Sequence, residues 1–201
     1  MKLGVFGGTF DPPHLGHLVL AEFAREQLRL DTVSFLPAGD PWRKSGRDLA
    51  SAADRLAMTR LAVAGNDAFA VDDREVVRDG QTYTVDTLRE VRGALAPTDE
   101  LVFILGEDAL ADLPHWHDPA GIAALARLAV VPREGVARPP LPFGEDRLAR
   151  VEMPFIGISS TLVRGRARRG LSLRYLVPTT VEAYIGQHSL YTTSQTVGTS
   201  L

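Results

Sequence analysis

The chain contains no cysteine. Disulfide staples, thiolate nucleophiles and cysteine-ligated zinc sites are thereby excluded. Charge of one sign is also scarce. With 22 Lys and Arg against 25 Asp and Glu, the formal net charge is −3. That balance gives no electrostatic argument for a nucleic-acid or membrane-surface partner. No apolar run approaches membrane-spanning length. The first residues enter a strand-like run directly, with no signal-type apolar region, and no solenoid-type repeat is present. A cytoplasmic protein with neither nucleic acid nor membrane as partner is the resulting expectation. What is present falls near the globular average: 45% of residues are hydrophobic and 23% charged, which argues against wholesale disorder. A chain of 201 residues buries a core without staples and suits one α/β domain with a small helical appendage. We expect that domain over residues 1–188. From Ser189 to Leu201 the chain is rich in Ser and Thr and has no charged side chain, so it reads as a frayed tail.

One stretch organises the rest: Gly7-Gly8-Thr9-Phe10-Asp11-Pro12-Pro13-His14-Leu15-Gly16-His17. It follows the apolar run Lys2–Phe6, a strand, and precedes Leu18–Ala24, a helix. A glycine pair lets backbone approach a ligand closely. A helix N-terminus favours anions through its unpaired N–H groups and its dipole. His14 and His17, three apart, fall on one helix face. The pattern predicts a phosphate held at this turn with a histidine on either side of Gly16. A P-loop is excluded because no Gly-Lys-Ser/Thr follows the glycines. The dinucleotide fingerprint fails because Gly4, Gly7 and Gly8 do not give G-x-G-x-x-G. A zinc site from Asp11, His14 and His17 is an alternative, although no fourth ligand suggests itself.

This stretch resembles the signature of the nucleotidylyltransferase superfamily of H-x-G-H type, in its GGTFDP-x-H-x-GH form. Further elements match in order. Lys44 ends Trp42-Arg43-Lys44, where the family usually has Pro-His-Lys; the histidine is missing here. Arg55 and Met58 match R-x-x-M. Tyr83-Thr84-Val85-Asp86-Thr87-Leu88 resembles S-Y-T-x-D-T-L, with Thr82 for the serine. Gly106-Glu107-Asp108-Ala109-Leu110 follows a buried strand, Glu100–Leu105, and matches Gly-x-Asp-Ala/Ser-Leu. Trp116 matches a tryptophan that stacks on a pyridine ring. Ile158-Ser159-Ser160-Thr161-Leu162-Val163-Arg164 resembles I-S-S-T-x-I/V-R. The resemblance covers about residues 1–190 and is to the bacterial nicotinate-nucleotide adenylyltransferases.

The local reading places each motif on an element. Strands are expected at Asp31–Pro37, Phe69–Val71 and Arg127–Pro132, with extended chain at Glu75–Arg78 and a short strand at Val151–Met153. Strand, helix, strand in succession implies parallel pairing with right-handed crossovers. The expected fold is therefore α/β, a Rossmann-like parallel sheet with helices on both faces, of nucleotidylyltransferase type. Ser51 should cap a helix to about Ala64, Thr84 one to about Leu95, and Ser159 or Ser160 the helix carrying Arg164. Asp108 either caps its helix or meets a ribose hydroxyl. Residues 133–150, interrupted by Pro139, Pro140 and Pro142, read as a loop.

What the resemblance implies is adenylyl transfer from ATP to nicotinate mononucleotide, giving deamido-NAD and pyrophosphate. His14, His17, Lys44 and Arg164 would be catalytic. Gly7, Gly8, Thr9, Phe10, His17, Gly106, Asp108, Ser159, Ser160 and Arg164 would bind ATP, which brings Mg²⁺ on its oxygens. Lys44, Thr84, Trp116 and His117 would bind the mononucleotide. A homodimer is left open. Two competing readings stand beside this one. The first is an adenylyltransferase for another acceptor, such as phosphopantetheine or nicotinamide mononucleotide. The second is a non-catalytic nucleotide sensor.

Overall fold

Strand β4 (Glu100–Gly106) buries five consecutive residues, as expected of a strand covered on both sides. The computed structural model describes residues 1–39, 49–131, 141 and 143–192. Within them β4 lies at the centre of a six-stranded sheet of order β3-β2-β1-β4-β5-β6. The other strands are β1 (Lys2–Gly8), β2 (Thr32–Pro37), β3 (Phe69–Val71), β5 (Arg127–Val131) and β6 (Leu148–Arg150). Every neighbouring pair is parallel, with Val5 opposite Phe103 and Phe6 opposite Ile104 at the centre.

The period of two sorts the core. Val5, Leu101, Phe103, Leu105, Leu128 and Val130 face one side. There they meet Val85, Leu88 and Val91 of helix α4 (Thr84–Ala94), Leu110 of α5 (Glu107–Asp112) and Ile122 of α6 (Pro119–Leu125). Phe6, Val33, Phe35, Val102, Ile104 and Ala129 face the other side, against Ala21 and Ala24 of α1 (Leu15–Leu28). A third cluster forms the helical appendage. Met58 and Ala62 of α2 (Ala52–Val63) pack with Val163 of α7 (Ser160–Arg168), with Val181 and Ile185 of α8 (Thr179–Gln187), and with Tyr191. The expected Rossmann-like architecture, with helices on both faces, is what the chain adopts. Among the described residues no helix is long and apolar enough to cross a membrane.

In the order 3-2-1-4-5-6 the chain reverses direction across the sheet between β1 and β4. Such a switch point opens a crevice at the carboxyl ends of the strands. The loops after β1 and β4 flank it, and both carry predicted site residues.

Several local expectations are corrected. Glu75–Arg78 is not extended: Arg74–Val77 form one helical turn, α3. Its two valines have no sheet face to cover, and Val77 is exposed. Buried Glu75 accepts hydrogen bonds from Thr87 Oγ1 at 2.8 Å and Thr82 Oγ1 at 3.4 Å, which turns the segment inward. The last strand is Leu148–Arg150, not Val151–Met153, so the loop expected over 133–150 ends in ordered structure. Glu152 has its backbone satisfied by a side chain instead: Gln27 donates to its carbonyl at 2.6 Å and accepts from its N–H at 3.0 Å. Helix α1 begins at Leu15, three residues earlier than read, and α6 was not anticipated. Ser189–Tyr191 do not fray, since Tyr191 is buried. Ser51 does cap α2, accepting from the Asp54 N–H at 3.0 Å.

Candidate active site

The loop after β1 is shaped by what its glycines leave out. A Cβ on Gly8 would lie 2.8 Å from the Phe10 ring. Phe10, at a positive φ of 48°, turns that ring into the core and does not present it to a ligand. Its edge supports the His17 imidazole, with centroids 5.1 Å apart at 78°. The chain then passes a cis Asp11–Pro12 peptide and enters α1 with His14 as N-cap and His17 at N3.

The two imidazoles do not stand on either side of Gly16. They stack on one another, centroids 3.7 Å apart and planes inclined by 27°. Gly16 makes this possible, because a Cβ there would lie 3.0 Å from His14 Nδ1. The His14 backbone N–H donates to His17 Nδ1 at 3.1 Å. A nitrogen that accepts carries no proton, so in the neutral ring the proton of His17 is on Nε2. His14 is buried, and desolvation pushes its pKa down to about 4. It is neutral at pH 7 before a ligand arrives, so it offers a hydrogen bond and no charge. Its Nδ1 is buried and has no hydrogen-bond partner among the described residues. The helix start is also less open than the sequence suggests: Leu15 N–H donates to the Leu176 carbonyl, and His17 N–H to that of His14, both at 2.9 Å.

The second motif is bonded directly onto the first. Ser159 caps α7, accepting from Leu162 N–H at 3.2 Å. Ser160 Oγ donates to the Pro12 carbonyl at 3.0 Å. Arg164 Nη1 donates to the Asp11 carbonyl at 2.7 Å and stands 3.5 Å from Asp11 Oδ2. Asp11 Oδ1 accepts from Tyr191 Oη at 2.7 Å and from Ala50 N–H at 3.1 Å. These contacts answer the zinc alternative. Asp11 Oδ1 already accepts two hydrogen bonds, and the Arg164 guanidinium beside Oδ2 repels a metal ion there.

Arg55, matched in sequence but given no role there, is 2% exposed. It donates to the carbonyls of Ala50, Thr9, Ala38 and Gly39 at 2.6–3.2 Å. It thereby ties the loop after β1 to the chain leaving β2 and to the chain entering α2. Lys44, with Pro41, Trp42 and Arg43, lies outside the described residues.

The remaining predicted residues gather around a cavity of about 450 Å³ in the crevice. Gly7, Gly8 and Thr9 form one wall, and Gly106 and Asp108 another. Gly106, not Asp108, is the N-cap of α5, so Asp108 is in the first turn and does not cap the helix. Thr84, Trp116 and His117 line it as well. Thr84 is the first residue of α4 and does not cap it; Tyr83 is the N-cap and supplies no side-chain bond. Thr84 and Val85 therefore present first-turn N–H groups. The Trp116 indole N–H donates to Asp112 Oδ2 at 3.1 Å, and its ring stands edge-on to Phe103 at 6.3 Å. His117 is exposed and lies against the Tyr83 ring, centroids 4.5 Å apart. The predicted residues that the structure describes thus form two groups, one around the Asp11–Pro12 turn and one around the cavity, joined by the loop Gly7–Phe10. Sequence reasoning gave Asp11 a role only as a possible zinc ligand, gave Tyr83 none, and missed Asp112 and Tyr191. Asp11 and Tyr83 stand inside quoted motifs and Asp112 two residues beyond one, a signal that was available. Tyr191 carries no local signal.

Known proteins resemble this chain in sequence and in fold. Residues 5–166 match the cytidylyltransferase-like family. A protein named "Probable nicotinate-nucleotide adenylyltransferase" from Thermomicrobium roseum is 47% identical over 200 residues, covering 96% of this chain and 92% of its own. One of the same name from Dehalococcoides mccartyi is 43% identical, covering 95% and 97%. A solved structure of Plasmodium falciparum nicotinic acid mononucleotide adenylyltransferase complexed with NaAD aligns with a TM-score of 0.75. It covers 94% of this chain and 97% of that one at 17% identity, a likeness of fold.

Proposed function

We infer the reaction from a premise those matches establish: the chain belongs to the cytidylyltransferase-like family and, within it, to the nicotinate-nucleotide adenylyltransferases. It transfers the adenylyl group of ATP to nicotinate mononucleotide, a step of NAD biosynthesis. A phosphate oxygen of the mononucleotide attacks the α-phosphorus of ATP in line. A P–O bond forms on that side while the bond to the β-phosphate bridging oxygen breaks, and its electron pair leaves with pyrophosphate. The nucleophile is already an anion, so no covalent enzyme intermediate and no general base are required. The protein contributes positioning and stabilisation of charge.

The observation that carries this reading is the meeting of two phosphate motifs, 148 and 153 residues apart in sequence, on the single Asp11–Pro12 turn. In our assignment His17 donates Nε2–H to the α-phosphate, with the neutral imidazole of His14 beside it. The first-turn N–H groups of α7, together with Ser159 and Ser160, receive the β- and γ-phosphates. Arg164 supplies fixed charge to the departing pyrophosphate, and Lys44 adds to it. Mg²⁺ enters on the triphosphate oxygens as part of the substrate, mostly through water. Imidazole and guanidinium donors fit a metal that stays on the nucleotide.

In the cavity, Trp116 provides the stacking face for the pyridine ring, oriented by its bond to Asp112. The ring carboxylate meets the first-turn N–H groups of α4, the Thr84 hydroxyl and His117. Gly106 and the Gly7–Thr9 wall give the nucleotide bare backbone to pack against, and Asp108 accepts from a ribose hydroxyl. The test is pyrophosphate release from ATP with nicotinate mononucleotide, nicotinamide mononucleotide and phosphopantetheine as acceptors. We expect the fastest release with the nicotinate form. Faster release with phosphopantetheine would overturn the assignment of the acceptor, and no release with any of them would favour a sensor.

A further inference from the structure

Tyr191 stands apart from every motif, yet it reaches the centre of the site. Its hydroxyl bonds Asp11 Oδ1 across 180 residues of sequence. Burial, with the Asp11 carboxylate second, pushes its pKa far above the ordinary tyrosine value, so it remains a donor at any working pH. Its backbone sits at a positive φ of 62°, a region costly for a residue with a Cβ. Such strain persists only where surrounding contacts impose it.

The partner explains why. Asp11 is 1% exposed, and Oδ1 is filled by Tyr191 and Ala50. Among the described residues Oδ2 has no hydrogen bond, and it stands 3.5 Å from Arg164 Nη1. The guanidinium is held instead through the Asp11 main-chain carbonyl, with Thr161 Oγ1 at 3.4 Å from Nη2. A carboxylate beside a guanidinium prefers the two-point, parallel pairing. Here that pairing is incomplete, because Oδ1 is turned toward Tyr191.

We propose that Tyr191 is a positioning residue for Arg164: by holding Asp11 Oδ1 it prevents the carboxylate from closing on the guanidinium and keeps Arg164 directed at the ATP phosphates. Without the hydroxyl, Asp11 rotates and engages Arg164 at two points, and ATP must then displace that pair. The alternative is a plain brace, in which Tyr191 only fastens the end of α8 to the body of the protein. A brace would affect stability, or both substrates alike.

The inference rests on the adenylyl-transfer reading, so the experiment keeps the two apart. Binding of Mg–ATP is measured by calorimetry without acceptor, and KM for each substrate in steady state, for wild type, Tyr191→Phe, Arg164→Lys and the double variant. Tyr191→Phe keeps the ring in its apolar cluster. It should weaken Mg–ATP about tenfold, the equivalent of one charge-assisted hydrogen bond, with KM for nicotinate mononucleotide within about twofold. With Arg164→Lys already present, Tyr191→Phe should cost ATP nothing further, because the cycle removes their coupling. With Asp11→Asn, whose uncharged amide does not draw in Arg164, it should again cost ATP nothing. Unchanged ATP affinity in a folded Tyr191→Phe protein would overturn the proposal. So would an equal loss for both substrates, or a full penalty persisting beside Arg164→Lys or Asp11→Asn. A wild type that fails to bind Mg–ATP would overturn the functional reading itself.

Discussion

The imidazole of His14 stacks on that of His17, centroids 3.7 Å apart, beside a glycine whose Cβ would lie only 3.0 Å from His14 Nδ1. The pair is one structural unit, so disturbing either ring disturbs the donor at the other. Gly16→Ala should therefore act as a site variant although it removes no functional group. Its Cβ would meet His14 Nδ1 at 3.0 Å and push the stack apart. We expect turnover about 10²–10³-fold lower, close to that of His17→Ala and typical of one lost preorganised donor. Single-turnover rates on folded protein decide it; a Gly16→Ala enzyme near wild-type rate would show that the stack is dispensable.

Burial of His14 also sets an acid limit. Its folded pKa of about 4 lies below its ordinary 6.5. As pH falls, the unfolded chain takes up this proton before the folded one does. This contribution is complete above about pH 6.5 and is lost progressively down to about pH 4, amounting to about 3 kcal/mol. Urea unfolding of wild type and His14→Asn at pH 7.5, 6.0 and 5.0 measures it. Wild type should lose stability more steeply than the variant, and parallel slopes would assign the acid sensitivity to other groups.

Arg164→Lys keeps the positive charge but loses the planar fork that reaches the Asp11 carbonyl and, in the function proposed above, an ATP phosphate. Mg–ATP should bind about tenfold more weakly, with nicotinate mononucleotide little affected. Equal ATP affinity in the two proteins would count against a two-point contact.

Arg55 is the structural counterpart. Arg55→Lys leaves one ammonium to serve carbonyls of Thr9, Ala38, Gly39 and Ala50 that now share a guanidinium. Each buried carbonyl left without a donor carries a desolvation cost, so a loss on the order of 3 kcal/mol is expected. Chemical denaturation reads it directly, and a loss below about 1 kcal/mol would mean that the carbonyls find other donors.

His117 lines the cavity, and the function proposed above sets it beside the ring carboxylate. His117→Phe preserves an aromatic face for Tyr83, whose ring it meets at 4.5 Å, while removing both ring nitrogens. The ratio of kcat/KM for the nicotinate over the nicotinamide mononucleotide should fall roughly tenfold, about one hydrogen bond to a charged group. An unchanged ratio would leave the selection to Thr84 and the first turn of α4.

Much of this was legible in the chain. The unbroken apolar run Leu101–Leu105 read as a buried strand and is one, and the glycine-rich turn after β1 marked the crevice where the motifs meet. What escaped were contacts that local pattern cannot encode. Glu75-Val76-Val77 has strand propensity, but the hydroxyls of Thr82 and Thr87 draw Glu75 into a helical turn. Val151–Met153 has the composition of a strand, but Gln27 of α1 satisfies Glu152 and the pairing stops at Arg150. The histidines were read as neighbours of a gap because spacing fixes a shared face but not a ring stack. Helix α6 is the exception that could have been found: Asp118 caps it and Pro119 opens it, both ordinary start signals.

The bond between Tyr191 and Asp11 spans 180 residues, and that distance is also an interval of time. At translation rates of about 5–20 residues per second, the hydroxyl is made roughly 10–40 s after the carboxylate it serves. During that interval β1, α1 and the sheet built on them can form, while Asp11 must remain hydrated or pair with whatever cation is near. The phosphate centre therefore reaches its final arrangement after the sheet that supports it. A nascent chain bearing a completed sheet is not yet a chain competent to hold ATP in the geometry described above.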